Sequence, residues 1–201
     1  MSKQTGKTGI VCGVDEAGRG CLAGPVTAAA VVLPADFDVS VLNDSKKLTA
    51  KRREELFEML QQSGALIAVS SSNAQVIDSI NILQATFAAM KRAVTNLPMT
   101  PDIVLVDGDK EIPKLELNQR AIIGGDAEVP EIMAASIMAK VTRDAIMEGL
   151  AELYPVYGFE RNKGYGTRQH VAALDEHGPC SYHRRSFDPL KTRLRQLELG
   201  L

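Results

Sequence analysis

The sequence is expected to fold as one α/β domain, and three observations predict it. Short apolar runs at residues 10–15, 26–33 and 103–107 alternate with helical patterns at 50–62, 73–97 and 130–153. Two of those runs end in acids followed closely by glycine: Asp15-Glu16 before Gly18, and Asp107 before Gly108. No repeat, low-complexity tract or long linker divides the 201 residues. Alternating strand and helix patterns are the signature of the α/β class, and a chain of this length can bury one sizeable core.

Taken in order, residues 1–8 are polar and are expected to be disordered. Ile10 to Asp15 and Val26 to Leu33 read as strands joined by a glycine loop, with Pro25 and Pro34 bracketing the second. The short connection favours an antiparallel pair. Pattern is lost from Pro34 to Lys47. Thr49 is placed to cap a helix over 50–62 that buries Leu56, Met59 and Leu60, with Gly64 ending it. Ala65 to Ser70 is a short strand. Asn73 opens a helical region to Leu97 with Val76, Ile80, Phe87, Met90 and Val94 at helical spacing, and Asn81 is a candidate second cap. Ile103 to Asp107 has the β-branched composition of a strand buried on both faces. Leu115–Leu117 and Ala121–Ile123 are weaker strands. Pro130 suits the first turn of a helix to Leu153, apolar on nearly every side in its first half. A glycine-rich loop, a helix from Thr167 to His177 and a last helix near 189–198 complete a helical C-terminal region.

Hydrophobic content of 45% and charged content of 24% are ordinary for a globular protein. No apolar run approaches the ~20 residues of a membrane span, and the polar N-terminus lacks a signal-peptide core. A cytoplasmic protein with no membrane partner is expected. Cys12, Cys21 and Cys180 match no zinc or redox spacing and read as small buried thiols. His170 and His177 lie too far apart along a helix to share a metal, so the three histidines are not read as a metal site. The net charge of −2 argues against a uniformly basic nucleic-acid binder. Between Arg161 and Arg195, however, basic residues outnumber acidic ones and Tyr165 and Phe187 interleave with them, a local footprint for a phosphate backbone.

The acids carry the chemistry. Asp15 and Asp107 each sit at the carboxyl end of an apolar strand, where open α/β sheets bind ligands. Asp126 follows Gly124-Gly125 and precedes a buried helix, so it can converge from a third direction. Successive strand side chains point to opposite faces, so Asp15 and Glu16 can share an ion only if the strand ends between them, an end that the nearby Gly18 favours. Carboxylates without Cys or His favour Mg²⁺ or Mn²⁺ over zinc, with substrate phosphate filling the remaining positions. GRGCLAG at 18–24 has neither dinucleotide nor P-loop spacing. It is either a tight turn or backbone that approaches a substrate closely. Asp44-Ser45-Lys46-Lys47 is either a solvated turn or a phosphate contact.

Together these residues resemble ribonuclease HII, the bacterial type 2 ribonuclease H. The resemblance rests on DEAGRG at 15–20, LAGPV at 22–26, LNDSKKL at 42–48, VDG at 106–108 and GD at 125–126. It continues with AASIMAKVTRD at 134–144, YGF at 157–159, KGYGT at 163–167, EHGP at 176–179 and HRRSF at 183–187. It implies a ribonuclease H-like fold, a mixed central sheet flanked by helices. It implies that Asp15, Glu16, Asp107 and Asp126 are the catalytic, metal-binding acids, holding two Mn²⁺ or Mg²⁺ ions once substrate is bound. Gly18-Arg19-Gly20 would sense a ribose 2′-hydroxyl through backbone groups, and Tyr165 would stack on a neighbouring sugar. Ser45, Lys46, Lys47, Arg184 and Arg185 are the expected phosphate contacts. The implied reaction is cleavage 5′ to a ribonucleotide in RNA/DNA hybrids and in duplex DNA carrying single ribonucleotides. It leaves 3′-hydroxyl and 5′-phosphate ends. A monomer is expected, with a clamp-type protein as a conceivable partner. Two departures stand out: Cys21 where proline is common in the family, and Gly124 where lysine is frequent.

Overall fold

The computed structural model describes residues 9–42 and 49–198. The expected disorder of residues 1–8 and the phosphate contacts at Ser45, Lys46 and Lys47 lie outside the described residues. A five-stranded mixed sheet organises the chain in the order β3-β2-β1-β4-β5. Its strands are β1 (Val11–Ala17), β2 (Val26–Val32), β3 (Leu66–Ser72), β4 (Ile103–Asp107) and β5 (Gln119–Ile122). β1 pairs antiparallel with β2 and parallel with β4, so the central strand separates an antiparallel half from a parallel half.

Alternation along the strands fills two cores. Cys12 and Val14 of β1, with Ala28 and Ala30 of β2, face Phe87, Met90 and Val94 of α3 (Ile82–Thr95). Ala29 and Val31 face the other way, toward Leu56 and Leu60 of α1 (Ala50–Gln62) and Met133 to Ala139 of α4 (Pro130–Leu153). Gly13 lies where α4 comes closest to the sheet. A Cβ there would stand 2.1 Å from the carbonyl carbon of Glu131, so only glycine lets the helix seat so low. Beyond α4 come α5 (Phe159–Asn162), α6 (Arg168–His177) and α7 (Leu190–Glu198). A third core, with Leu22, Met147, Tyr157, Phe159 and Leu174, ties α5 and α6 to the rest.

Caps act as expected: Thr49 accepts from the Arg52 N–H, and Asn81 accepts from the Gln84 N–H. Asn81, at φ 66°, also breaks the 73–97 region into α2 (Ala74–Ile80) and α3. That break explains a correction. Val76 and Ile80 are exposed and Ile77 is buried, because a helical phase counted across Asn81 does not hold before it. Met59 is 39% exposed, flanking a stripe made by Leu56 and Leu60 alone. Leu115–Leu117 is not a strand. The Gln119 side chain bonds the N–H and carbonyl of Ile112 and the carbonyl of Leu115, folding this segment into a compact loop. β5 accordingly starts at Gln119 and leaves Ile123 outside. Two short helical turns, Val39–Leu42 and Phe159–Asn162, occupy stretches read as irregular. Among the described residues, no helix is long and apolar enough to cross a membrane.

Candidate active site

The parallel β1–β4 ladder brings two acids side by side. Val14 pairs with Val106, so one residue further Asp15 and Asp107 stand at the same level at the carboxyl ends of neighbouring strands. β5 extends the parallel half, and after Ile122 the chain turns through Gly124 and Gly125 to Asp126. The Asp126 N–H donates to Asp107 Oδ1 at 3.2 Å, which holds this third segment against the β4 acid. Gly125 is buried there, with Ile132 and Asp107 packed over its Cα.

β1 does not end between Asp15 and Glu16. Its pairing with β2 continues to Ala17, so the expected break of the strand is absent. Glu16 nevertheless belongs to the same electrostatic neighbourhood. Burial first, then the charges of Glu16 and Asp107, push the Asp15 carboxyl up from 3.8 to about 8, against hydrogen bonds from the Ser136 side chain and the Glu16 N–H. Glu16 is also raised, first by burial and further by Asp107, while Arg19 opposes the shift. Arg19 reaches Glu16 Oε1 at 3.1 Å, but the buried Oε2 has no hydrogen-bond partner.

These groups fit a hard divalent cation. The buried Glu16 Oε2 has no hydrogen-bond partner, and burial, with the charges of Glu16 and Asp107, drives Asp15 toward protonation; a cation would relieve both, and the acids offer it oxygen ligands alone. Among the described residues, no three His, Cys, Asp or Glu side chains close round a common point. The acids are neighbours whose like charges oppose one another, not a finished chelate.

A cleft of about 290 Å³ opens beside them, lined by Glu16, Gly18, Asp126, Ser136, Lys140 and Tyr165 among others. Larger hollows elsewhere on the surface hold none of the four acids. Tyr165 is 46% exposed on the cleft wall. The Cys21 thiol is fully buried in the electrostatic neighbourhood of the Tyr165 hydroxyl, and burial raises both groups.

The glycine loop is held from behind by two wholly buried arginines. Arg184 donates to the carbonyls of Gly18 (2.7 Å), Arg19 (2.8 Å) and Gly24 (3.1 Å). Arg143 of α4 donates to those of Pro25, Ala23 and Lys163. Gly18, at φ 92°, has the Arg143 side chain where a Cβ would be, so both conformation and space demand glycine. Because a trans peptide sets its C=O and N–H on opposite sides, carbonyls turned inward to Arg184 turn the N–H groups of Arg19 and Gly20 outward. The result is a fixed pair of donors facing away from Arg184, on the loop that directly follows Glu16.

This corrects one expectation. Arg184 is not placed to touch a phosphate, since its guanidinium is buried, packs over the Phe187 ring at 5.1 Å and is spent on loop carbonyls. Burial lowers its pKa to about 10, which leaves it charged at neutral pH. Arg185 is exposed, its backbone N–H bonded to Asp78. Sequence reading missed Arg53, Ser136 and Lys140. The last two sit one helical turn apart on α4, and Lys140 pairs with Asp144 at 2.7 Å. A lone lysine in an otherwise apolar helical segment was the available signal.

Comparison with known proteins identifies relatives of the chain and of its fold. The family model for ribonuclease HII matches residues 12–190. A ribonuclease HII of Endomicrobium trichonymphae is 51% identical over 191 residues, covering 95% of this chain and 91% of that protein. One from Burkholderia mallei is 54% identical over 182 residues, covering 90% and 85%. The crystal structure of ribonuclease H2 from Pyrococcus horikoshii superposes with a TM-score of 0.76 at 27% identity, covering 94% of this chain and 98% of that one. The Archaeoglobus fulgidus RNase HII, solved in a complex with PCNA, gives a TM-score of 0.76 at 28% identity, covering 89% and 95%.

Proposed function

The chain belongs to the ribonuclease HII family and is an endonucleolytic ribonuclease H, and we propose that it cuts the phosphodiester 5′ to a ribonucleotide in RNA/DNA hybrids and at single ribonucleotides in duplex DNA. The observation that supports this reading is the meeting of acids from β1, β4 and the 124–126 turn, next in sequence to a glycine loop whose carbonyls are pinned by Arg184.

Asp15 and Asp107 would hold a Mn²⁺ or Mg²⁺ ion between them, with Glu16 and Asp126 completing a two-ion site once substrate phosphate is present. Bound there, such ions lower the pKa of water and neutralise charge on the attacking and leaving oxygens of an in-line displacement. The chain's own residues do the rest. The Arg19 and Gly20 N–H groups are offered to a ribose 2′-hydroxyl, the group that separates RNA from DNA. Tyr165 on the cleft wall stacks on the neighbouring sugar. Lys140 and Arg53 at the cleft, Arg185, and the Ser45, Lys46 and Lys47 side chains supply contacts to the strand's phosphates. The water oxygen bonds to phosphorus and loses a proton, the P–O3′ bond breaks and O3′ gains one, leaving a 3′-hydroxyl on the preceding nucleotide and a 5′-phosphate on the ribonucleotide.

All four acids come from one chain, so the site needs no second copy, and the reading we adopt is a single catalytic domain acting as a monomer in the cytoplasm. The PCNA complex of the Archaeoglobus relative motivates a clamp-type partner. The test is a duplex with one embedded ribonucleotide, its all-DNA twin and a uniform RNA/DNA hybrid, each incubated with Mn²⁺, Mg²⁺ or EDTA. Cleavage of the two ribonucleotide-bearing substrates, lost in EDTA, is expected. Cutting of the all-DNA twin would remove the role given to the glycine loop.

A further inference from the structure

Behind the cleft, away from the acids, two buried histidines join the loop that carries Tyr165 to the segment that carries Arg184. The Cys180 N–H donates to His183 Nδ1 at 3.0 Å, His183 Nε2 lies 2.9 Å from His170 Nε2, and His170 Nδ1 lies 2.9 Å from the Tyr165 carbonyl oxygen. A backbone N–H only donates, so His183 Nδ1 must be the acceptor and its proton sits on Nε2. A carbonyl only accepts, so His170 carries its proton on Nδ1 and presents a lone pair at Nε2. The two requirements agree, and hydrogen bonds run one way from Cys180 through both rings to Tyr165. A second proton on either ring would set two N–H groups against each other.

The pair is enclosed. His170 is fully buried and His183 nearly so, with Tyr157 and Phe159 rings against them at 4.7 and 5.4 Å respectively. The titratable groups facing them are the Cys180 thiol, 3.2 Å from His183 Nδ1, and the Tyr157 hydroxyl, which is bonded to the Gly178 carbonyl. Burial lowers both imidazoles, and His170 adds to the effect on His183, which falls to about 4. Around neutral pH both rings are neutral, as the chain of bonds requires.

The same segment grips the glycine loop. His183 bridges to Ala23, the Arg184 N–H donates to the Leu22 carbonyl, and the Leu22 N–H donates to the Gly164 carbonyl beside Tyr165. We propose that His183 and His170 are positioning residues that hold Tyr165 in register with the Gly18–Gly20 backbone, setting the spacing between the group that stacks on the sugar and the groups that read its 2′-hydroxyl. This rests on the roles proposed above for Tyr165 and the glycine loop.

The test is a cycle of His183→Phe, Tyr165→Ala and the double variant. The quantity read is kcat/KM on a single-ribonucleotide duplex divided by that on a uniform hybrid. His183→Phe is expected to lower this ratio about tenfold with Tyr165 present and less than twofold in the Tyr165→Ala background. A loss shared equally by both substrates, or one of the same size in either background, would reduce His183 to a merely structural role and overturn the proposal. Imidazole ¹⁵N spectra of the wild-type protein test the bonds even if the variant does not fold. One Nε2–H and one Nδ1–H tautomer, both neutral at pH 7, are expected, with His183 still neutral at about pH 5; other tautomers, or titration of His183 near 6.5, would sink the chain of bonds. If the wild-type protein spares the single-ribonucleotide duplex, the substrate reading and the positioning role fall together, while the expected tautomers would leave the bonds intact.

Discussion

Asp15→Asn should abolish cleavage and yet stabilise the cation-free protein. The Asp15 carboxyl is raised from 3.8 to about 8 by burial and by the charges of Glu16 and Asp107. Between those limits the folded state keeps a proton that the unfolded chain has released. Stability then falls as pH rises, since its slope follows protons bound unfolded minus protons bound folded. The contribution is intact below about pH 4 and gone above about pH 8. At about 1.4 kcal/mol per pH unit, the whole span sets a ceiling of roughly 5–6 kcal/mol. Asparagine removes the charge but weakens bonds with Ser136 and the Glu16 N–H, at about 1 kcal/mol each. A net gain of about 2–4 kcal/mol at pH 8 follows, or roughly 5–15 °C in melting temperature for a chain of this size. Thermal unfolding in EDTA at pH 5, 6.5 and 8 measures it, and the advantage of the variant should grow with pH. Mn²⁺ should raise the melting temperature of the wild-type protein and release protons as it binds. A variant less stable than wild type at pH 8 in EDTA, or a difference independent of pH, would refute the electrostatic account of the site.

Gly13→Ala should cost more than about 3 kcal/mol by denaturant titration, because its Cβ meets the α4 backbone, which cannot swing aside as a side chain can. Arg184→Met removes the guanidinium donor to the carbonyls of Gly18, Arg19 and Gly24, leaving Gly18 only a long bond from the Cys21 N–H, and should cost about 3–5 kcal/mol and lower cleavage on every substrate. A variant with full activity and stability would show that the loop needs no such support. Tyr165→Ala should reduce kcat/KM at single ribonucleotides roughly tenfold, in line with about 1–3 kcal/mol for aromatic stacking in nucleic-acid sites. Long hybrids should suffer less, and an equal loss on both would remove the junction role.

The acids were legible because each stands next to a signal that marks its place. Asp15 and Asp107 end apolar runs, and Asp126 follows paired glycines, so strand geometry puts them at the carboxyl end of the parallel strands. Asn81 was legible as a cap but not as a hinge in helical phase, since φ is not written in residue spacing, and Val76 and Ile80 were misplaced in consequence. Arg184 shows a deeper limit. A basic run near an expected phosphate site looks the same whether a guanidinium faces solvent or backbone carbonyls, and only the fold brings Gly18 and Gly24 within its reach. The His170–His183 pair was missed for the same reason, because helical spacing compared His170 with His177 while the true partner lies on a following loop. Cys21, an unexplained departure from the family pattern, acquires a neighbour in Tyr165 that no local pattern could supply.

The most direct test of the central claim, that carboxylates from separate segments form the cation site of a ribonuclease H, compares wild type with Asp107→Asn. A duplex bearing one ribonucleotide is incubated with each protein in Mn²⁺, and hybrid binding is measured in parallel. Wild type should cut immediately 5′ to the ribonucleotide and stop in EDTA, while the variant should bind the hybrid and leave it uncut. Near-wild-type turnover by Asp107→Asn, or cleavage that persists in EDTA, would contradict it.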